Sequence, residues 1–93
     1  MNNTISYLGD NWNVSKVFFT TITKQPFIEI KAAANDVVAN CCIYFEGVFL
    51  GKNETIIEDN ELIKSLVEKN LISETGKIIT VDNHEFKIVN VLF

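Results

Sequence analysis

One histidine, two adjacent cysteines and one cluster of carboxylates are the residues of this 93-residue chain that suggest chemistry. His84 stands between Asn83 and Glu85, so any Ser–His, Cys–His or histidine–metal arrangement has to run through that one position. Asp82-Asn83-His84 reads as a hairpin turn. An exposed turn gives no desolvation with which to tune an imidazole, and no nucleophile lies in the same stretch. Cys41 and Cys42 are neighbours, and on a strand neighbouring side chains point to opposite faces. The two thiols therefore cannot clamp a metal from one side, and neither has another cysteine to pair with. They read as two small buried apolar residues.

Glu54, Glu58, Asp59 and Glu61 form the one acidic concentration. Paired carboxylates can bind calcium or move protons. Here the Asp-Asn-Glu run leads straight into a helical apolar pattern and lacks calcium-loop spacing, and helix capping accounts for Asp59 and Glu61. Gly47 and Gly51 stand alone, without the Lys-Ser/Thr that follows a phosphate-binding loop. No catalytic residue, metal ligand or cofactor site is expected, and the chain reads as a non-enzyme.

The elements that would position these residues are mostly strands. Residues 1–13 are polar and read as an N-terminal arm anchored by Tyr7, Leu8 and Trp12, with Gly9-Asp10-Asn11 as a turn. Val14–Thr23 has the β-branched and aromatic composition of a strand, ended by Gln25-Pro26. In Phe27–Ala32, Ile28, Ile30 and Ala32 alternate with Glu29 and Lys31, the period of a strand with one wet face. After an Asn35-Asp36 turn, Val37–Phe45 is apolar on both faces and belongs in a sheet centre or at an interface. Glu46-Gly47 should then turn the chain into Val48-Phe49-Leu50 to close a hairpin. Gly51-Lys52-Asn53 reads as loop, and Thr55–Ile57 as a short strand.

The spacing of Leu62, Ile63, Leu66 and Val67 predicts one helix over 59–70, capped by Asp59 or Asn60 and stopped by Asn70 with Leu71 packing back. Ser73–Gly76 reads as a turn before a strand at Lys77–Val81. A last strand at Glu85–Phe93 carries apolar residues on both faces. The expected fold is β-rich α+β in a single domain over 1–93. It would be a small antiparallel sandwich or half-open barrel of about six strands with the one short helix.

Composition narrows the function classes. With 47% hydrophobic residues, including seven Phe, the chain has material for a packed core and is not disordered. The net charge is −4, and all eight basic residues are scattered lysines. Phosphate-backbone binders cluster Lys and Arg, so no nucleic-acid partner is expected, and no polybasic membrane patch either. No apolar stretch approaches the roughly 18 residues that span a bilayer. Met1-Asn2-Asn3-Thr4 lacks the basic and apolar regions of a signal peptide, so cytosolic synthesis is expected. On that expectation the Asn2, Asn13 and Asn53 sequons are chance.

Two strands apolar on both faces, and an apolar end at Phe93, exceed what one sheet and one helix can bury. The surplus calls for a protein partner, self or heterologous, in a larger assembly. The Arg-free, Asn-, Ile- and Lys-rich composition fits an AT-rich genome, of the kind in which small β-rich bacteriophage proteins occur. The leading expectation is thus a non-enzymatic structural or assembly subunit, such as a capsid auxiliary or connector component of a bacteriophage virion. The second is a small acidic inhibitor of a host protein such as a defence nuclease. Tyr7, Trp12, Glu54, Glu58, Asp59, Glu61 and Phe93 are the candidate partner-binding residues.

Overall fold

A computed structural model describes residues 3–18, 25–35 and 37–93. Seven strands and one helix are formed among them: β1 (Thr4–Tyr7), β2 (Asp10–Phe18), β3 (Pro26–Ala32), β4 (Val38–Asn40), β5 (Glu54–Ile57), α1 (Asn60–Glu68), β6 (Ile72–Val81) and β7 (His84–Val91). They make two antiparallel sheets, β1-β2-β3-β4 and β5-β7-β6. The sheets do not close into a barrel. The main core draws Ile5, Val14, Ile28 and Ile30 from the first sheet, Ile57, Ile72, Val89 and Val91 from the second, and Leu62, Ile63 and Leu66 from α1.

The first sheet follows from period-2 patterning. In β3, Ile28, Ile30 and Ala32 are buried while Lys31 is exposed, the alternation the sequence predicts. Pro26 takes the first position of the strand, where a missing N–H does least harm to a ladder. β2 pairs with β3 from Trp12↔Ala32 to Phe18↔Pro26. The rest of the strand expected over Val14–Thr23 lies outside the described residues, as does Asp36 of the expected turn. Within the stretch expected as an N-terminal arm, Thr4 onward is built into the sheet as β1 and the start of β2, with Ile5 in the core. Its turn is Leu8-Gly9, with Asp10 paired to Tyr7.

The largest correction concerns Val37–Phe45, expected as one central strand. Only Val38–Asn40 is strand, and β4 is an edge. The Asn40 side chain accepts from the Cys42 N–H at 3.0 Å, a local bond that competes with a ladder. Cys41 N still donates to Ile28 O (2.9 Å), but Cys42 bridges to Ile57 and Ile43 N donates to Ile56 O (3.0 Å). The chain thus passes from the edge of one sheet to the edge of the other. Being apolar on both sides suits that crossing as well as it suits a sheet centre.

The Glu46-Gly47 turn forms, with Gly47 at φ 82 and Val48 N donating to Phe45 O at 3.3 Å. No hairpin grows from it, and Val48–Leu50 is irregular. Ser73–Gly76 is not a turn either, since β6 runs unbroken from Ile72 to Val81 with a bulge between Glu74 and Ile78. There the Thr75 hydroxyl donates to Ile88 O (2.8 Å) and accepts from Lys77 N (3.0 Å), and Gly76 takes φ 81. Thr75 replaces the missing ladder bonds, and glycine supplies the left-handed backbone.

The helix is the element the sequence predicts best. Asp59 caps it, accepting from Glu61 N (3.0 Å) and Leu62 N (3.3 Å). Asn70 sits at φ 59, Asn70 N donates to Val67 O, and Leu71 N donates to Leu66 O. Those are the paired bonds of a Schellman stop. β7 is the centre of the second sheet, and Ile88 and Val89 are buried on its opposite faces, as expected of a strand apolar on both sides.

Two substitutions separate core from stop. Leu66→Ala should lower the unfolding free energy by about 3 kcal/mol, since it empties a fully buried site. Asn70→Ala should cost about 1 kcal/mol through its left-handed backbone, while Asn70→Gly stays near neutral. Urea denaturation of the three variants checks both.

Candidate interaction surface

The fold brings Cys41 and Cys42 to the same crevice as Glu58 and Asp59, a crevice that His84 does not line. His84 is the exposed first residue of β7, just past the Asp82-Asn83 turn. Cys41 and Cys42 are free, half-buried thiols in the crossing segment. Burial, followed by the neighbouring Cys42, Asp59 and Glu29, pushes the Cys41 thiol up to about 12. Burial also raises Cys42, partly offset by hydrogen bonds with Thr55 and the Ile28 N–H. Both stay protonated at neutral pH, whereas a nucleophile or metal ligand is the thiolate. Among the described residues no three His, Cys, Asp or Glu side chains converge on a metal-sized site.

A shallow crevice of about 250 Å³ opens where the sheets meet, lined by Tyr7, Ile30, Cys41, Cys42, Asp59 and Leu62 among others. It falls below the roughly 300–1,000 Å³ of ordinary small-molecule sites. Its polar feature is a bond within the protein: the Tyr7 hydroxyl donates to Asp59. That bond and partial burial raise the Tyr7 phenol from 10.0 to about 12, while the same bond holds the Asp59 carboxyl below its ordinary range. Beside it, Ser65 Oγ donates to Ser6 O at 3.0 Å, and Trp12 Nε1 donates to Tyr7 O at 2.9 Å. The Tyr7 and Ser65 bonds latch β1 to α1, and the Trp12 bond ties β1 to β2.

The candidate partner-binding residues divide accordingly. Tyr7, Trp12 and Phe93 pack against the chain's own core, with the Tyr7 and Trp12 rings tilted at 6.4 Å. Glu54 is only 8% exposed. Its carboxylate accepts from Gly51 N at 2.6 Å and meets Lys77 Nζ at 2.5 Å. Lys77, and then the Gly51 N–H, hold that carboxyl below its ordinary value. A Cβ on Gly51 would sit 3.0 Å from Glu54 Oε1, so a glycine there lets the carboxylate approach. Asp59 serves the helix cap and Tyr7, which leaves Glu58 and Glu61 as the solvated remainder of the acidic cluster. The four carboxylates do not form one face.

Several large apolar side chains also stand in water. Val37, just before β4, and Val38 within it are 54% and 50% exposed, Tyr44 is exposed too, and Phe49 is 96% exposed; Ile78 and Leu92 stand out elsewhere. Phe45, between Tyr44 and Phe49, turns inward onto Phe86 with ring centroids 5.0 Å apart. Sequence reasoning treated Phe49 as core or hairpin. The available signal was its place in Val48-Phe49-Leu50, three consecutive apolar residues that no alternation can bury together.

No protein-family model, curated protein or solved structure matches the chain.

The Tyr7–Asp59 bond predicts a two-sided pH dependence. Asp59, depressed in the folded state, contributes stability above the ordinary Asp pKa that fades as pH falls through its folded value. Tyr7, raised, contributes stability that is complete below 10.0 and fades as pH climbs toward about 12. Tyr7→Phe should cost about 1 kcal/mol at neutral pH and flatten the alkaline limb. Urea midpoints across pH, with tyrosinate absorbance as the second readout, check it.

Proposed function

We propose that this chain is a non-enzymatic assembly subunit that acts through protein–protein contacts made by the apolar segment from Val37 to Leu50. The observation that carries the reading is Phe49, a large aromatic side chain left 96% exposed, more than any other of the exposed large apolar side chains. Aromatic side chains anchor interfaces because they bury much area for few rotatable bonds. Val37 and Val38 add apolar surface along a sheet edge, where unpaired backbone groups also seek partners. The finer architecture we propose is a small sandwich whose sheets face each other across the shared core and expose this segment at one margin.

Within that class, a bacteriophage virion component, such as a capsid auxiliary or connector protein, is the specific proposal. Its support is compositional: no Arg, abundant Asn, Ile and Lys, and small size. An inhibitor working through an acidic face draws less support, because Glu54 is buried against Lys77 and Asp59 is bonded to Tyr7.

Light scattering across protein concentration, alone and with the structural proteins of the native particle, should show association. Phe49→Ser and Val38→Lys should each weaken it at least tenfold while leaving the melting temperature within a few degrees, since neither side chain is in the core. A strict monomer that binds none of those proteins overturns the reading.

A further inference from the structure

Two of the chain's hairpins share one turn geometry but not one turn chemistry. Asp82-Asn83 joins β6 to β7 with φ 50 and 67, and Leu8-Gly9 joins β1 to β2 with φ 52 and 78. Positive φ at both central residues marks the two-residue turn that matches strand twist, and Asn, Asp and Gly are the residues that tolerate it. Asp82-Asn83 meets that requirement. Leu8 does not: its Cβ crowds the following carbonyl in this region, and its side chain is left 74% exposed. The strain sits in a two-residue hinge beside a four-residue strand.

Apart from this hinge, β1 is well held. Ile5 is buried in the core, Tyr7 donates to Asp59, and the Ser6 carbonyl accepts from Ser65. None of these contacts requires β1 to belong to the same chain as β2 and α1. If Leu8-Gly9 opens, β1 can leave its own β2, and the β1 of a second copy finds the same groove, donors and register, Thr4↔Asn13, Ile5↔Trp12, Ser6↔Asn11 and Tyr7↔Asp10. Leu8 is then free to leave the left-handed region.

We infer that β1 is an exchangeable strand: two copies of this chain form a dimer by trading Thr4–Tyr7, with release of the left-handed Leu8 as the driving strain. The partner is a second copy because the groove is already filled by this chain's own segment, and an identical one fits it. This rests on the assembly reading only in taking association as the chain's business, and the contacts involved are distinct from those of Phe49.

The test refolds Ser6→Cys and Asn11→Cys chains together at high concentration under mild oxidation. In a closed hairpin these positions face each other within one chain, so a 6 to 11 link between variants forms no more often than the 6 to 6 and 11 to 11 links of random collision. In the exchanged dimer they face each other across chains, and peptide mapping should find a position 6 to position 11 disulfide joining the two variants. Leu8→Asn, which suits the turn, should lower the dimer fraction about fivefold per hinge, the factor carried by roughly 1 kcal/mol of left-handed strain. Deleting Leu8 and Gly9 should give an obligate dimer. Absence of the cross-chain link in protein that does associate, or a monomeric deletion variant, overturns strand exchange while leaving assembly through Phe49 standing. Unchanged association in Phe49→Ser, with the link still formed, does the reverse.

Discussion

The structure depends on where five residues send their backbone hydrogen bonds. From Ala39 to Ile43 the chain is paired first to β3 and then to β5. The Cys42 thiol accepts the Ile28 N–H at 3.2 Å while its backbone bridges to Ile57. Buried backbone groups must be paired, and this segment meets that requirement only by standing between two sheets. Gln25 reinforces the junction from the start of β3, donating to Ile43 O and Thr55 Oγ1 at 3.0 Å each. Pull the crossing away and both the edge of β5 and the end of β3 lose their partners. The core they share would then open to water.

The helix is the second tie, and it engages part of the acidic cluster in the chain's own contacts. One carboxylate, Asp59, satisfies the first N–H groups of α1 and also receives the Tyr7 hydroxyl from the first sheet. Another, Glu54, closes the Gly51–Glu54 loop and joins the outer strands of the second sheet through Lys77. Residues adjacent in sequence thus serve different joints, separated by the length of β5. These two carboxylates hold elements together, while Val37, Val38, Tyr44 and Phe49 leave apolar surface on the crossing segment and the stretches either side of it. An exposed edge with apolar side chains is a liability for a solitary protein and a docking element for an assembling one.

Most of the fold was legible in the residues. The alternation in Ile28-Glu29-Ile30-Lys31-Ala32, the stripe Leu62-Ile63-Leu66-Val67, the Asp59 cap and the Asn70-Leu71 stop are local, and local patterns decide strands and helix ends. The errors fell where two local readings compete. Ser73–Gly76 has turn composition, yet cross-strand pairing with β7 turned it into a bulge. Gly9-Asp10-Asn11 likewise offers better turn residues than Leu8-Gly9, but the pairing that buries Ile5 sets the register and forces the turn one residue earlier. The candidate surface was less legible, because a two-sided apolar run looks the same whether it lies within a sheet, between sheets or against a partner.

By itself, then, the sequence determined what nearest neighbours can decide: which segments are extended, where the helix begins and ends, and which faces of each are apolar. It also placed no nucleophile beside the one histidine and no further cysteine beyond Cys41 and Cys42. Tertiary structure alone decided which apolar face meets which. It sent Tyr7 to Asp59, Glu54 to Lys77 and Phe45 to Phe86, and left Phe49 in water. Such choices depend on contacts between residues far apart in the chain, and no window of local periodicity contains them.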